Sequence, residues 1–296
     1  MSDSNTATDQ PPVTDKQANA FRLSFEFFPP KTESGMNSLT RVVERLKETS
    51  PEFFSCTYGA GGSTRDGTRE TIGMLQGLGV RAAPHLSIGA DSQDAIFDLL
   101  DRYRDMGVDR IVALRGDIPS GMGAARISHN AESLVRWIRE HSGDHFHIEV
   151  AAYPEIHPDA KSAESDLEYF KAKIDAGANS AITQYFYNPH AYYDFMDRTG
   201  AAGITVPIYP GIMPISSLEG ILRFSAKCGA DVPRWIQQRL ASYADDEASV
   251  RAFTTDYLSR MSEELIANGA PGLHFYTLNR WGVCRAICQN LGLASR

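Results

Sequence analysis

Residues 22 to 30 read Arg22-Leu23-Ser24-Phe25-Glu26-Phe27-Phe28-Pro29-Pro30, "RLSFEFFPP". Side chains alternate between the two faces of a strand, so Leu23, Phe25 and Phe27 share one face while Ser24, Glu26 and Phe28 share the other. If the three large apolar groups pack under a layer of helices, Glu26 turns to the opposite side. An ionised carboxylate in apolar surroundings is costly unless it is paired or holds a proton. Two readings follow: a carboxyl kept protonated by burial beside Phe28, suited to general-acid work, or a carboxylate paired with a basic group.

A strand-like segment followed by a helix-like one recurs from here onward. The strand candidates are Arg22–Phe28, Phe53–Tyr58, Ala82–Ile88, Arg110–Leu114, Ile148–Tyr153, Ser180–Phe186, Val206–Ile212 and Leu273–Thr277, eight in all. Amphipathic segments with 3.6-residue periodicity lie between them, including Leu39–Lys47, Gln93–Met106, Leu134–Glu140 and Ala163–Ala176. Gly79, Gly107 and Gly177 stand where helices end, and Pro189 where one begins. Strict alternation predicts an α/β fold with a parallel sheet. Eight units in about 270 residues predict a (β/α)8 TIM barrel rather than an open doubly wound sheet. The long interval from Ile212 to Leu273 predicts extra helices before the eighth strand. Residues 1–20 are polar and predict a disordered tail, leaving 21–296 as a single barrel domain.

The composition narrows the function classes. A formal net charge of −8 supplies no bulk attraction for nucleic acid or anionic membrane. No apolar run approaches the roughly 20 residues of a membrane span, and the N-terminal segment lacks the apolar core of a signal peptide. Cys56, Cys228, Cys284 and Cys288 fit neither a disulfide framework nor a zinc site, which points to a reduced, cytoplasmic protein.

In (β/α)8 barrels the active site is built at the C-terminal strand ends. Those ends carry Glu26, Thr57-Tyr58, His85, Arg115-Gly116-Asp117, Tyr153 with Glu155 and His157, Gln184, and Tyr276-Thr277 followed by Arg280. Arg115 beside Gly116 offers a cation and close backbone approach to an anion, or a surface ion pair with Asp117. His157 can donate to a phosphate or ribose, with Lys161 and Lys173 as nearby cations or as a solvated helix face. "YGAGGST" (Tyr58–Thr64) and "GDIPSGMGAA" (Gly116–Ala125) are glycine-rich but match neither a Rossmann nor a Walker pattern. His85, His157, Glu26 and Asp117 match no metal-ligand spacing, so no metal is expected.

Eight stretches in order, "SFEFFPPK", "SCTYGAGGSTRD", "APHL", "IVALRGD", "VAAYPEIHP", "KIDAGANSAITQYFY", "PGIMPI" and "HFYTLNR", resemble the methylenetetrahydrofolate reductases of the short bacterial type without a C-terminal regulatory domain. The resemblance implies a (β/α)8 barrel, non-covalent FAD, and ping-pong reduction of 5,10-methylenetetrahydrofolate to 5-methyltetrahydrofolate by NAD(P)H, with NADH favoured. That reaction reduces a CH–NH centre and feeds methionine synthesis. By resemblance Glu26 is the acid that protonates N10 of the folate. Asp117 accepts from the pterin edge and stabilises positive charge on the one-carbon unit. Thr57, Tyr58, Ala60, His85, Arg115, Gly116, Asp117, Tyr153, His157, Ala160, Asp166 and Lys173 match positions lining the FAD. Asp117, Gln184, Phe224 and Arg280 match positions that meet the folate. Tyr169, Ala172, Gly220 and the loop 118–130 depart from the family pattern. The family assembles as homo-oligomers. The competing reading is a metal-dependent barrel aldolase or decarboxylase.

Overall fold

The computed structural model describes residues 21–58, 64–88, 92–116, 130–244 and 246–295. The expected N-terminal tail lies outside these residues, as do Ala60, Asp117 and nearly all of the 118–130 loop.

The chain alternates strand and helix as its periodicity predicts. The order is β1 (Arg22–Phe27), α1 (Glu33–Lys47), β2 (Phe53–Cys56), α2 (Thr64–Gly77), β3 (Ala82–Ser87), α3 (Gln93–Asp105), β4 (Arg110–Leu114), α4 (Ala131–Ser142) and β5 (His147–Ala152). It continues with α5 (Ala163–Asp175), β6 (Ser180–Tyr185), α6 (Pro189–Ala201), β7 (Ile208–Ile212), α7 (Leu218–Cys228), α8 (Arg234–Tyr243), α9 (Glu247–Ala267), β8 (Gly272–Tyr276) and α10 (Gly282–Asn290). All eight strands pair in parallel and in sequence order, and β8 pairs with β1 to close the barrel. The interval before β8 holds α7, α8 and α9, two more helices than one βα unit needs.

Local chemistry sets the ends of these elements. The side chains of Thr32, Ser92, Asn130, Ser162, Asn188, Ser217 and Asp246 each accept from a backbone N–H at the start of a helix. Gly79, Gly107 and Gly177 take the positive φ values of 71°, 74° and 114° that glycine adopts readily. β1 ends one residue earlier than the alternation suggests and β2 two residues earlier, because the chain leaves the sheet there to build the barrel mouth.

Leu23, Phe25 and Phe27 belong to the large apolar layer between barrel and helices. Their alternates Ser24 and Glu26 therefore point into the barrel. The interior is stacked in levels, with Phe53, Ala83, Val112 and Ile182 forming a small apolar middle. Below it, at the N-terminal strand ends, Arg110 and Glu149 are fully buried as an ion pair. Arg110 also reaches Glu52 at 2.5 Å and stacks over the Phe53 ring at 4.5 Å, and Ser180 donates to Glu149 at 2.6 Å. Burial pushes the Glu149 carboxyl up, but His147, Arg110 and Ser180 together draw it below its ordinary value.

Removing one partner of such a pair leaves an uncompensated buried charge. Arg110→Met is expected to lose about 3–5 kcal/mol in urea unfolding, and the double variant with Glu149→Leu clearly less. Because the folded Glu149 carboxyl lies below 4.5, its stabilisation is complete above about pH 4.5 and is lost as pH falls through the folded value. Unfolding midpoints measured between neutral and acidic pH check this.

Candidate active site

The barrel mouth opens into a cavity of about 710 Å³. Its floor is Glu26, and Arg115, Tyr153, His157, Gln184, Phe224, Tyr276 and Thr277 line it, so eight of the positions read from the sequence converge on one space. Phe224 comes from α7, the first of the helices before β8, and remains 46% exposed over the opening. Tyr185, Met213, Lys227, Cys228 and Leu278 also face the cavity and were not identified from sequence. Lys227 and Cys228 share α7 with Phe224, whose position near the mouth depends on a crossover that strand periodicity does not describe.

Glu26 lies on a polar ledge rather than in the apolar pocket that its phenylalanine neighbours suggest. Phe25 and Phe27 face away from it, and Phe28 is exposed at the rim. Its Oε2 stands 3.3 Å from His85 Nε2 and 3.5 Å from His274 Nε2. Burial pushes the carboxyl up, but the two imidazoles, with His85 ahead of His274, bring it below its ordinary value. Burial likewise lowers His85, against the pull of Glu26. A neutral imidazole still offers an N–H to a carboxylate, so both directions hold together. The expectation of a carboxyl kept protonated by apolar neighbours is thus corrected in favour of a basic partner in the ring. One strand shows which way its own side chains point, but not which groups two other strands aim at the same spot. His274 was missed, although the alternation of His274 and Tyr276 along β8 mirrors that of Ser24 and Glu26.

The seam between β1 and β8 holds this floor in place. Ser24 pairs in register with His274 and Glu26 with Tyr276. Thr277 Oγ1 donates to the Glu26 carbonyl at 2.7 Å. The Asn279 amide accepts from Phe28 N–H at 3.0 Å and donates to the Phe28 carbonyl at 2.9 Å. This grip requires the left-handed backbone at Leu278 (φ 51°) and Asn279 (φ 56°), a conformation that asparagine tolerates and leucine rarely adopts. Tyr276 donates its hydroxyl to the Thr183 carbonyl at 2.8 Å, across Gly211. A Cβ at Gly211 would stand 2.3 Å from that carbonyl and 2.6 Å from the tyrosine ring, so no larger residue fits there.

Of the remaining candidates, Arg115, Tyr153 and His157 line the cavity, whereas Thr57, Tyr58, Gly116, Ala160, Asp166, Lys173 and Arg280 are not among its lining residues. Arg115 meets Asp159 at 2.6 Å as a surface ion pair, with both side chains more than a third exposed, and the expected partner Asp117 lies outside the described residues. His157 stacks edge-on against Tyr153 at 4.5 Å, and its backbone N–H donates to Asp166 at 3.0 Å. Lys173 is no solvated lysine: its ammonium donates to the Ala151 carbonyl at 2.5 Å, and burial lowers it to about 8. Lys161 is exposed. Thr57 is half-buried, donating its N–H to the Phe27 carbonyl and accepting from Thr68 on its own carbonyl. Tyr58, Gly116 and Ala160 are likewise half-buried. Arg280 faces an adjoining cavity of about 270 Å³, which shares Thr277 and Leu278 with the first. Among the described residues no three His, Cys, Asp or Glu side chains are arranged to hold a metal, and no helix is long and apolar enough to cross a membrane.

A closed (β/α)8 barrel with a carboxyl–imidazole cluster under a wide cavity at its C-terminal face defines a barrel enzyme capable of proton transfer to a bound ligand. Comparison with known proteins makes the assignment specific. The methylenetetrahydrofolate reductase profile matches residues 13–292. The 5,10-methylenetetrahydrofolate reductase of Escherichia coli strain K12 is 40% identical over 272 residues, covering 92% of this chain and 90% of its own. Methylenetetrahydrofolate reductase (NADH) 1 of Arabidopsis thaliana is 38% identical over 95% of this chain and 50% of its own. An uncharacterized protein from Clostridium thermocellum that binds two copies of 5-methyl-5,6,7,8-tetrahydrofolic acid has the same fold, with a TM-score of 0.68 at 19% identity over 93% of this chain and 95% of its own. The chain belongs to the methylenetetrahydrofolate reductase family.

The Asn279 clamp is testable by itself. Asn279→Gly keeps the left-handed backbone and removes only the amide, so its loss of about 1–3 kcal/mol in thermal unfolding measures the two hydrogen bonds. Asn279→Ala adds backbone strain and is expected to lose more.

Proposed function

We propose that this chain reduces 5,10-methylenetetrahydrofolate to 5-methyltetrahydrofolate in two half-reactions that use one cavity, with non-covalent FAD carrying the hydride and NADH supplying it. The observation that carries the reading is Glu26, a titratable carboxyl between two imidazoles on the floor of that cavity, in a chain of this family. Family membership also weighs against the metal-dependent aldolase or decarboxylase alternative. NADH is favoured because the Arabidopsis relative bears its name. The four free cysteines and the net charge of −8 suit a cytoplasmic enzyme, and assembly as a homo-oligomer belongs to the same family-based reading.

The residues present fit a flavin dinucleotide. The cavity is large, Tyr153, Tyr185 and Phe224 give it aromatic walls, and Arg115 and Lys227 supply cations. When bound, the flavin accepts hydride from the nicotinamide and returns it to the one-carbon unit. Arg115 holds a phosphate by exchanging its exposed Asp159 partner for the anion, a geometry that the guanidinium fork favours. His157, Tyr153 and Asp166 form a supported edge beside it.

Glu26 donates a proton to N10 of the folate, which opens the five-membered ring. Its side chain is 18% exposed before ligands arrive. Covering the floor with a pterin removes this last solvent and pushes the carboxyl upward, the direction in which burial already acts, so the acid gains its proton when the substrate seats. Gln184 offers an amide donor and acceptor within the same space, as a site shared by two ligands requires. Phe224 stacks on the ligand's flat portion at the opening. Arg280 and the adjoining cavity receive the anionic end of the folate. Asp117, outside the described residues, retains its role as acceptor for the pterin edge.

Purified protein should be yellow with a flavin spectrum. Glu26→Gln is expected to bleach with NADH at an undiminished rate while folate-dependent reoxidation falls roughly 10²–10⁴-fold. Full turnover in this variant would remove the acid role.

A further inference from the structure

His274 has no part in the proton transfer described above, yet it is fully buried beneath the cavity and turned toward Glu26. Its Nδ1 lies 2.8 Å from Ser24 Oγ, and its Nε2 has no hydrogen-bond partner while standing 3.5 Å from Glu26 Oε2. An ionised carboxylate only accepts. The nitrogen facing it therefore carries the proton, Nδ1 is the acceptor, and the Ser24 hydroxyl is the donor. Ser24 is the cross-strand neighbour of His274 in the closing seam, so the tautomer is selected by strand register. His85 Nε2 approaches the same Oε2 at 3.3 Å. Both Nε2 atoms, neither with a hydrogen-bond partner, thus converge on one oxygen of Glu26, which leaves Oε1 for the cavity.

We propose that Ser24 and His274 are a positioning pair for the acid: Ser24 fixes the His274 tautomer, and His274 with His85 receives the charge left on Glu26 when its proton departs. The inference rests on the reading of Glu26 as the proton donor. In the step itself the Glu26 O–H bond breaks and an N–H bond forms on the ligand. The negative charge stays on the carboxylate between two Nε2–H donors, and no proton leaves His274. Among the described residues, Tyr276 from β8 is the further titratable group beside Glu26 on the barrel interior, and Cys56 from β2 lies behind it in the outer apolar layer, within reach of its charge. Burial pushes the Cys56 thiol up to about 12, and burial with the Glu26 charge pushes Tyr276 well above its ordinary value, so both stay neutral through the working range. Among the described residues, the two imidazoles are the groups left to tune the acid.

The test separates the half-reactions in the flavin-loaded enzyme and uses NADH bleaching as the internal reference for each variant. In Ser24→Ala and His274→Leu the ratio of folate-dependent reoxidation to bleaching is expected to fall about tenfold. A general acid works only while protonated, and losing a donor to its anion raises its pKa, so the alkaline limb of reoxidation should move up by roughly one pH unit. His274→Gln, which restores an N–H near the Nε2 position, should recover most of the rate and the original limb. Nitrogen NMR of histidine-labelled protein should show His274 protonated at Nε2, and a mixed tautomer in Ser24→Ala. A parallel loss of both half-reactions, or pH profiles that coincide with the parent enzyme while Glu26→Gln is inactive, would overturn the positioning role. Turnover surviving in Glu26→Gln would instead overturn the acid itself, so the two failures are distinguishable.

Discussion

A parallel barrel exists only if its first and last strands pair, and in this protein that seam does more than close the sheet. β1 and β8 run side by side from Arg22↔Gly272 to Glu26↔Tyr276, and a Cβ at position 272 would stand 2.0 Å from the Arg22 carbonyl. This register sets Ser24 against His274 and places Glu26 one level above them. The Thr277 and Asn279 bonds then tie the two loops that leave the seam. A slip of β1 by one residue would turn Glu26 outward into the helix layer and Phe25 and Phe27 into the barrel, parting the carboxyl from His274.

The interior carries buried charge at both ends and treats it differently. At the closed end Arg110 is compensated by Glu149 and Glu52, and Ser180 occupies a further acceptor site. The pairing is nearly saturated, and the cluster acts as a structural plug. At the open end Glu26 has two imidazoles at 3.3 and 3.5 Å, longer than good hydrogen bonds, together with residual contact with solvent. Incomplete satisfaction is tolerated there because a ligand completes the site. The same physics that makes the lower cluster rigid leaves the upper carboxyl free to change protonation.

Much of this was legible in the sequence because it depends on local periodicity. The eight strand segments, the helices between them, the glycine stops and the extra helices after Ile212 follow from patterns spanning only a few residues. The orientation of Glu26 toward the barrel interior followed from the alternation of Leu23, Phe25 and Phe27 alone. The protonation state did not, because it depends on His85 and His274, which stand 59 and 248 positions along the chain from Glu26. Lys173 looks like a surface cation in a helical pattern but reaches inward to the Ala151 carbonyl. Arg115 pairs with Asp159, 44 residues away.

The sequence alone determined which segments are strands, which face of β1 is apolar, and which strand ends carry chemistry, since side-chain alternation and helical periodicity are properties of neighbouring residues. The tertiary structure decided who stands opposite whom: the two imidazoles on Glu26, the Asp159 partner of Arg115, and the entry of Phe224 over the mouth from α7. Those pairings follow from barrel closure and strand register, which bring distant residues within a few ångströms, and a carboxyl takes its charge from the groups it meets in space.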